Sequence, residues 1–153
     1  MDPRLPVQTP SLVDALGRVH VFAGLDHATL VTLAERASVA RVETSGWIAQ
    51  EGEMSSSFFC LLTGRVSVVR AGVCLAELKA GECFGEMSML ECKPRSAGVR
   101  ALEPCTVASL RSTDLLAIYE NQPAQYAIII LNLARDLARR LHQLDERFAA
   151  THA

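Results

Sequence analysis

Excess charge of one sign, long apolar runs and clustered metal ligands are all missing from this chain, and each absence removes a class of function. Lys and Arg number 15 against 17 Asp and Glu, a formal charge of −2, so no global basic field draws nucleic acid to the surface. The most apolar stretch, Tyr126 to Leu133, is interrupted by Asn132 and falls far short of the ~20 residues that cross a bilayer. The N-terminus, MDPRLPVQTP, carries early prolines and no apolar core of signal-peptide length. Residues 1–14 are therefore expected to be a flexible lead-in to a cytoplasmic protein with no membrane segment.

Cysteine is present but unorganised. The five residues Cys60, Cys74, Cys83, Cys92 and Cys105 include no C-x-x-C pair and no neighbouring His, so no metal site is expected. Cys60, Cys74 and Cys105 sit in apolar, strand-like stretches, where a free thiol behaves as a small buried hydrophobe, and such thiols suit a reducing compartment. A Ser-His-Asp pattern and a nucleotide P-loop are also lacking, which argues against an enzyme.

What is present reads as one domain. A chain of 153 residues, half of them hydrophobic, can bury a single real core. Residues 11–20 with Phe22 and Leu25 suggest a short helix and a turn, and Asp26 is placed to cap an amphipathic helix over about 26–38 carrying Leu30, Leu33, Ala34 and Ala37. From about 40 to 110 the texture changes to short apolar runs separated by Gly or Pro, the pattern of an antiparallel sandwich or barrel. Those runs are Trp47-Ile48, Phe58 to Leu62, Val66 to Val69, Cys74 to Leu78, Cys83-Phe84, Ala97 to Ala101 and Cys105 to Leu110.

Beyond the β segment, helices are expected over about 113–149. Thr113 is positioned to cap a short one, and Asn121 before Pro123 to cap a long one. In the long helix Ala127, Ile130, Ala134, Leu137, Leu141, Leu144 and Phe148 form a heptad seam. That stripe either covers the β unit or forms a dimer coiled coil. Off-seam apolar residues Ile128, Ile129, Leu131 and Leu133 suggest that the first half packs on its own domain while the second half is free to pair with a second copy.

The chemistry is concentrated in residues 81–101, GECFGEMSMLECKPRSAGVRA. Gly85 permits a tight turn and close backbone approach, and Glu86 to Leu90 can make one helical turn whose first N–H groups suit a phosphate. Arg95 supplies a planar cationic fork and Ser96 a hydroxyl. Glu86 cannot hold a phosphate, so its partners are donors: Arg side chains or a sugar hydroxyl. Together these residues suggest a ribose phosphate; an Arg95–Glu86 ion pair with ordinary turn residues is the plain alternative.

The string Phe84-Gly85-Glu86, followed by Pro94-Arg95-Ser96-Ala97, resembles the phosphate-binding cassette of the cyclic-nucleotide-binding domains. Ile48 to Glu53 resembles the family's glycine turn, and Phe58 to Val69 with Gly64 its Gly-x-Val-x-Val hairpin. The resemblance covers about residues 15–150. It implies a mainly β fold with flanking helices: an eight-stranded antiparallel jelly-roll β-barrel between N-terminal helices and C-terminal B and C helices. It also implies that Glu86 accepts from the ribose 2′-hydroxyl and that Arg95 pairs with the cyclic phosphate. Phe84, Gly85, Met87, Ser88, Ser96 and Ala97 complete the ligand site, with Met87, Met89 and Leu90 as core or pocket wall.

At the base-contacting positions the chain departs from the family pattern. Aligning LARRL with the similar helix of the catabolite activator places Leu144 and Asp145 where that protein has two hydroxyl residues, and Arg140 or Asp145 is a candidate to read a base edge. The expected ligand is cAMP in preference to cGMP, with no other cofactor, and the expected role is a non-enzymatic signalling sensor that moves its C-terminal helices. Expected partners are the nucleotide, a second copy and a downstream protein. The sequence leaves no room after Ala150 for a helix-turn-helix, so DNA binding by this chain alone is not expected. A haem sensor is disfavoured because His20, His27, His142 and His152 form no set. A ligand-free interaction module or a cyclic-dinucleotide binder remains as the alternative.

Overall fold

The computed structural model describes residues 9–152, apart from the side chains of Thr9, Pro10, Ser88 and Met89. Helix α1 spans Thr9–Gly17, a 3-10 turn spans His20–Phe22, and α2 spans His27–Arg36. Leu12, Val13 and Leu16 of α1 are buried, so this helix takes in residues 9–14 of the expected flexible lead-in; residues 1–8 lie outside the described residues. Asp26 caps α2 as its sequence suggested, accepting from the Thr29 N–H at 2.8 Å, which holds the Asp26 carboxyl below the usual carboxylate range.

Eight strands follow among the described residues: β1 Ser38–Val42, β2 Trp47–Ala49, β3 Ser57–Thr63, β4 Arg65–Arg70, β5 Val73–Lys79, β6 Cys83–Phe84, β7 Gly98–Ala101 and β8 Cys105–Arg111. They pair into two four-stranded antiparallel sheets, ordered β1-β8-β3-β6 and β2-β7-β4-β5. No ladder joins the two sheets among the described residues, so the molecule has two facing sheets where a closed barrel was expected. Strand β1 begins where α2 was expected still to run; Ala37 ends the helix in an extended conformation.

The apolar run of β3 shows how the core is divided. Side chains alternate across a strand, so Phe58 and Cys60 face the helices beside Leu16, Leu33 and Leu110. Phe59 and Leu61 face the other sheet beside Val66, Val99 and Val107. A strand buried on both faces reads as a continuous apolar run. Cys60, Cys83 and Cys105 are buried, but Cys74 is exposed, against expectation, because it lies on the edge strand β5.

After β8, α4 spans Ser112–Asn121 and α5 spans Pro123–His152. The start of α4 is held by Asp114, which accepts from the Arg111 N–H at 2.7 Å, so Thr113 is not the cap. Asn121 belongs to α4, donating to the Ala117 carbonyl, and Pro123 opens α5. The first half of α5 packs on its own domain through Ile129 and Leu133, both buried. Asn132, the polar break in the apolar run, donates to the Val21 and Ala23 carbonyls at 3.0 and 2.9 Å and ties α5 to the 3-10 turn.

Candidate functional site

The site is built where β6 ends. Phe84 is buried and stacks on Phe59 of the paired strand, with centroids 5.2 Å apart. Gly85 then turns the chain with φ +86° into α3, Glu86–Glu91, a conformation that costs glycine nothing. Its missing side chain is equally necessary, because a Cβ there would lie 2.6 Å from Nη1 of Arg95. Sequence reasoning anticipated the tight turn; the structure adds the guanidinium that fills the space.

Arg95 is only 6% exposed. Its Nη2 donates to the Ser57 carbonyl at 3.0 Å, and its guanidinium carbon lies 5.3 Å from the centre of the Phe59 ring. Its backbone is fixed as well, since the Arg95 N–H donates to the Glu53 carbonyl and the Gly52 N–H donates to the Arg95 carbonyl. The residues expected to be a glycine turn thus hold the arginine in place. Burial disfavours the charged guanidinium and lowers its pKa, opposed by Glu53 and Glu86.

Glu86 is 2% exposed. Its Oε1 accepts from Nη1 of Arg140 on α5 at 2.9 Å, and its Oε2 is buried with no hydrogen-bond partner. Burial raises the Glu86 pKa above its ordinary value, with Arg140 opposing the shift. A buried carboxylate oxygen left unpaired is costly, so this atom marks a place that a donor would fill.

Arg140 is the residue whose place in the site sequence reasoning missed. It was one candidate, with Asp145, to read a base edge; in the structure its guanidinium is engaged by Glu86, by Asp136 at 3.0 Å and by the Cys83 carbonyl. Asp136 also pairs with Arg139, which reaches Glu82, the residue just before β6, at 3.7 Å. The i, i+3 and i, i+4 spacing of Asp136 with the two arginines was readable in sequence; the meeting with Glu86, 54 positions away, was not.

These groups open onto a cleft of about 1390 Å³ between β5, α3 and the second half of α5. Phe84, Gly85, Glu86, Met87, Arg95, Ser96 and Ala97 line it, so the structure brings these residues to one cleft; Ser88 lies in α3 but its side chain is outside the described set. Met87 and Leu90 are half exposed, which makes them wall and not core. Leu144 and Asp145 also line the cleft, as do Leu137, Leu141 and Phe148 of the helical seam. The space exceeds the ~300–1,000 Å³ of a typical small-molecule pocket, because Leu144 remains 55% exposed and the helix does not close down on the sheet. Arg147 spans the gap at one point, donating to the Leu75 carbonyl at 3.0 Å.

Chemically the cleft joins a buried cation, an unsatisfied carboxylate oxygen and an open apolar wall, a constellation suited to a ligand with an anionic group, a hydroxyl and a flat apolar part. Comparison with known proteins gives the class a name: residues 39–122 match the cyclic nucleotide-binding domain model, and the chain belongs to that family. It is 34% identical over 103 residues to the cyclic AMP receptor protein of Thermus thermophilus, covering 64% of this chain and 46% of that one. An uncharacterised NTE family protein of Mycobacterium tuberculosis is 29% identical over 124 residues, 80% of this chain and 21% of that protein. The chain thus spans about a fifth of the length of several curated relatives it matches. A cyclic nucleotide-binding domain from Methylobacillus flagellatus shares the fold with a TM-score of 0.82 at 22% identity, over 94% of this chain and 83% of that one. No helix among the described residues is long and apolar enough to cross a membrane.

Proposed function

We propose that the chain binds one cyclic nucleoside monophosphate in this cleft, cAMP in preference to cGMP, and transmits the binding through α5. The observation that carries the proposal is the lone buried Oε2 of Glu86 beside Arg95. The cyclic phosphate would lie on Arg95 with Ser96 and the amides near Gly85 and Ala97, and a ribose hydroxyl would donate to Glu86. Leu144 and Asp145 would face the base. The name of the Thermus relative and a serine at position 96 support the choice of cAMP.

No catalytic step is assigned to this cleft: the reading is of a regulatory, non-enzymatic domain. A reducing, cytoplasmic setting suits the domain, since Cys60 and Cys83 are free thiols joined by a hydrogen bond of 3.4 Å. Ligand shifts the position of α5 only to the extent that it binds the two positions differently. The connection through Arg140 provides that difference, because the residue that receives the sugar also holds the helix. The exposed Leu141, Leu144 and Phe148 support pairing of the second half of α5 with a second copy, and light scattering with and without ligand reads that directly.

Calorimetric titration at fixed salt with cAMP, cGMP and cyclic di-GMP tests the reading. One site per chain with affinity near or below about 1 μM, equivalent to roughly 8 kcal/mol, is the expected result. Absence of heat and of thermal shift with all three would leave a ligand-free interaction module.

A further inference from the structure

Arg140 has two terminal nitrogens and Glu86 two oxygens, yet they share one hydrogen bond. Guanidinium and carboxylate favour a forked, two-bond geometry when nothing prevents it. Here something does: Nη2, the nitrogen that either forked geometry of a guanidinium requires, is taken by Asp136 Oδ2 at 3.0 Å and by the Cys83 carbonyl, so Glu86 is met by Nη1 alone while the buried Nε stays unpaired. Asp136, one helical turn before Arg140 and only 10% exposed at its side chain, also grips Arg139. Its pairs with both arginines fix its position.

We propose that Asp136 is a positioning residue that holds Arg140 to a single bond with Glu86 and so keeps Oε2 open for a ligand hydroxyl. The inference rests on the cyclic-nucleotide reading for the identity of the ligand. Without Asp136 the fork turns, both oxygens of Glu86 are occupied, and the hydroxyl loses its acceptor. The same carboxylate therefore sets ligand affinity without touching ligand.

The test combines affinities with a measurement that needs no ligand. Asp136→Ala weakens cAMP binding by about tenfold or more, the cost of one charged hydrogen bond, while Asp136→Asn, which retains an acceptor for Nη2, recovers most of it. In an Arg140→Gln background, Asp136→Ala changes affinity by less than about twofold, since coupled residues are not additive. An equal loss in both backgrounds would mean a merely structural role and overturn the inference. In the unliganded protein, carbon-detected NMR of the Glu86 carboxyl shows it titrating at lower pH in Asp136→Ala than in Asp136→Asn, which removes the same charge but keeps an acceptor for Nη2; equal titrations in the two variants also overturn it. If the unsubstituted chain binds no nucleotide while the two variants differ in this titration, the ligand assignment fails and the positioning role stands.

Discussion

The backbone of Gly85 lies so close to the Arg95 guanidinium that a single added carbon would meet Nη1 at 2.6 Å. The pairing joins a turn that only glycine adopts freely to the cation that the cleft presents.

Gly85→Ala is therefore expected to act twice. The left-handed backbone costs a non-glycine residue about 1–2 kcal/mol, and the new methyl displaces Arg95 from above Phe59. Affinity for cAMP falls at least about tenfold, with a melting temperature lowered by a few degrees. Calorimetry paired with a thermal melt checks both effects.

Arg95→Ala removes the phosphate partner outright. Two charged hydrogen bonds at roughly 1.5–3 kcal/mol each correspond to a loss of about 100-fold or more. The fold persists, because the backbone bonds of Arg95 to Glu53 and Gly52 do not involve the side chain. Unchanged affinity in this variant would remove the phosphate assignment.

The raised pKa of Glu86 gives affinity and stability opposite pH dependences. A proton on Glu86 removes the acceptor, so cAMP binding weakens as pH falls through the raised folded value, above the ordinary 4.5. The folded state holds that proton more tightly than the unfolded chain, so the Glu86 contribution to stability is fully present below 4.5 and is lost as pH rises through the folded value. Glu86→Gln flattens both profiles, which affinity and urea-unfolding series across pH 4–7 would reveal.

The two halves of α5 should respond differently to truncation. Ile129 is fully buried between α5 and the helical core, so Ile129→Ala costs about 2–5 kcal/mol. Leu141→Ala, at a site 59% exposed, changes unfolding in dilute solution by no more than about 0.5 kcal/mol. Comparable losses in chemical denaturation would show that the second half is held as firmly as the first.

Local features were the legible ones. Glycine turns, the Asp26 cap and the turn at Gly85 into α3 are each contained in a few consecutive residues, so their local geometry reads directly from the string. The run Phe58 to Leu61 announced a strand but not its two separate cores, since burial on both faces erases the alternation. Strand β1 was obscured because Ser38–Val42 carries Arg41 and directly follows a helix. Cys74 was misread because an apolar run looks the same at the edge of a sheet as at its centre. The largest omission, Arg140 meeting Glu86, depends on where a 30-residue helix lies over the sheets, and that placement is set by packing far from either residue.

The bond from Arg147 to the Leu75 carbonyl has a bearing on solubility. Strand β5 is the last of its sheet and carries exposed Val73 and Leu75, and an uncovered edge of this kind is a template for adding strands from other chains. Arg147 of α5 occupies one carbonyl of that edge. If α5 moves outward as proposed, that carbonyl is released to a strand of a neighbouring chain, so the proposed movement carries a cost in self-association.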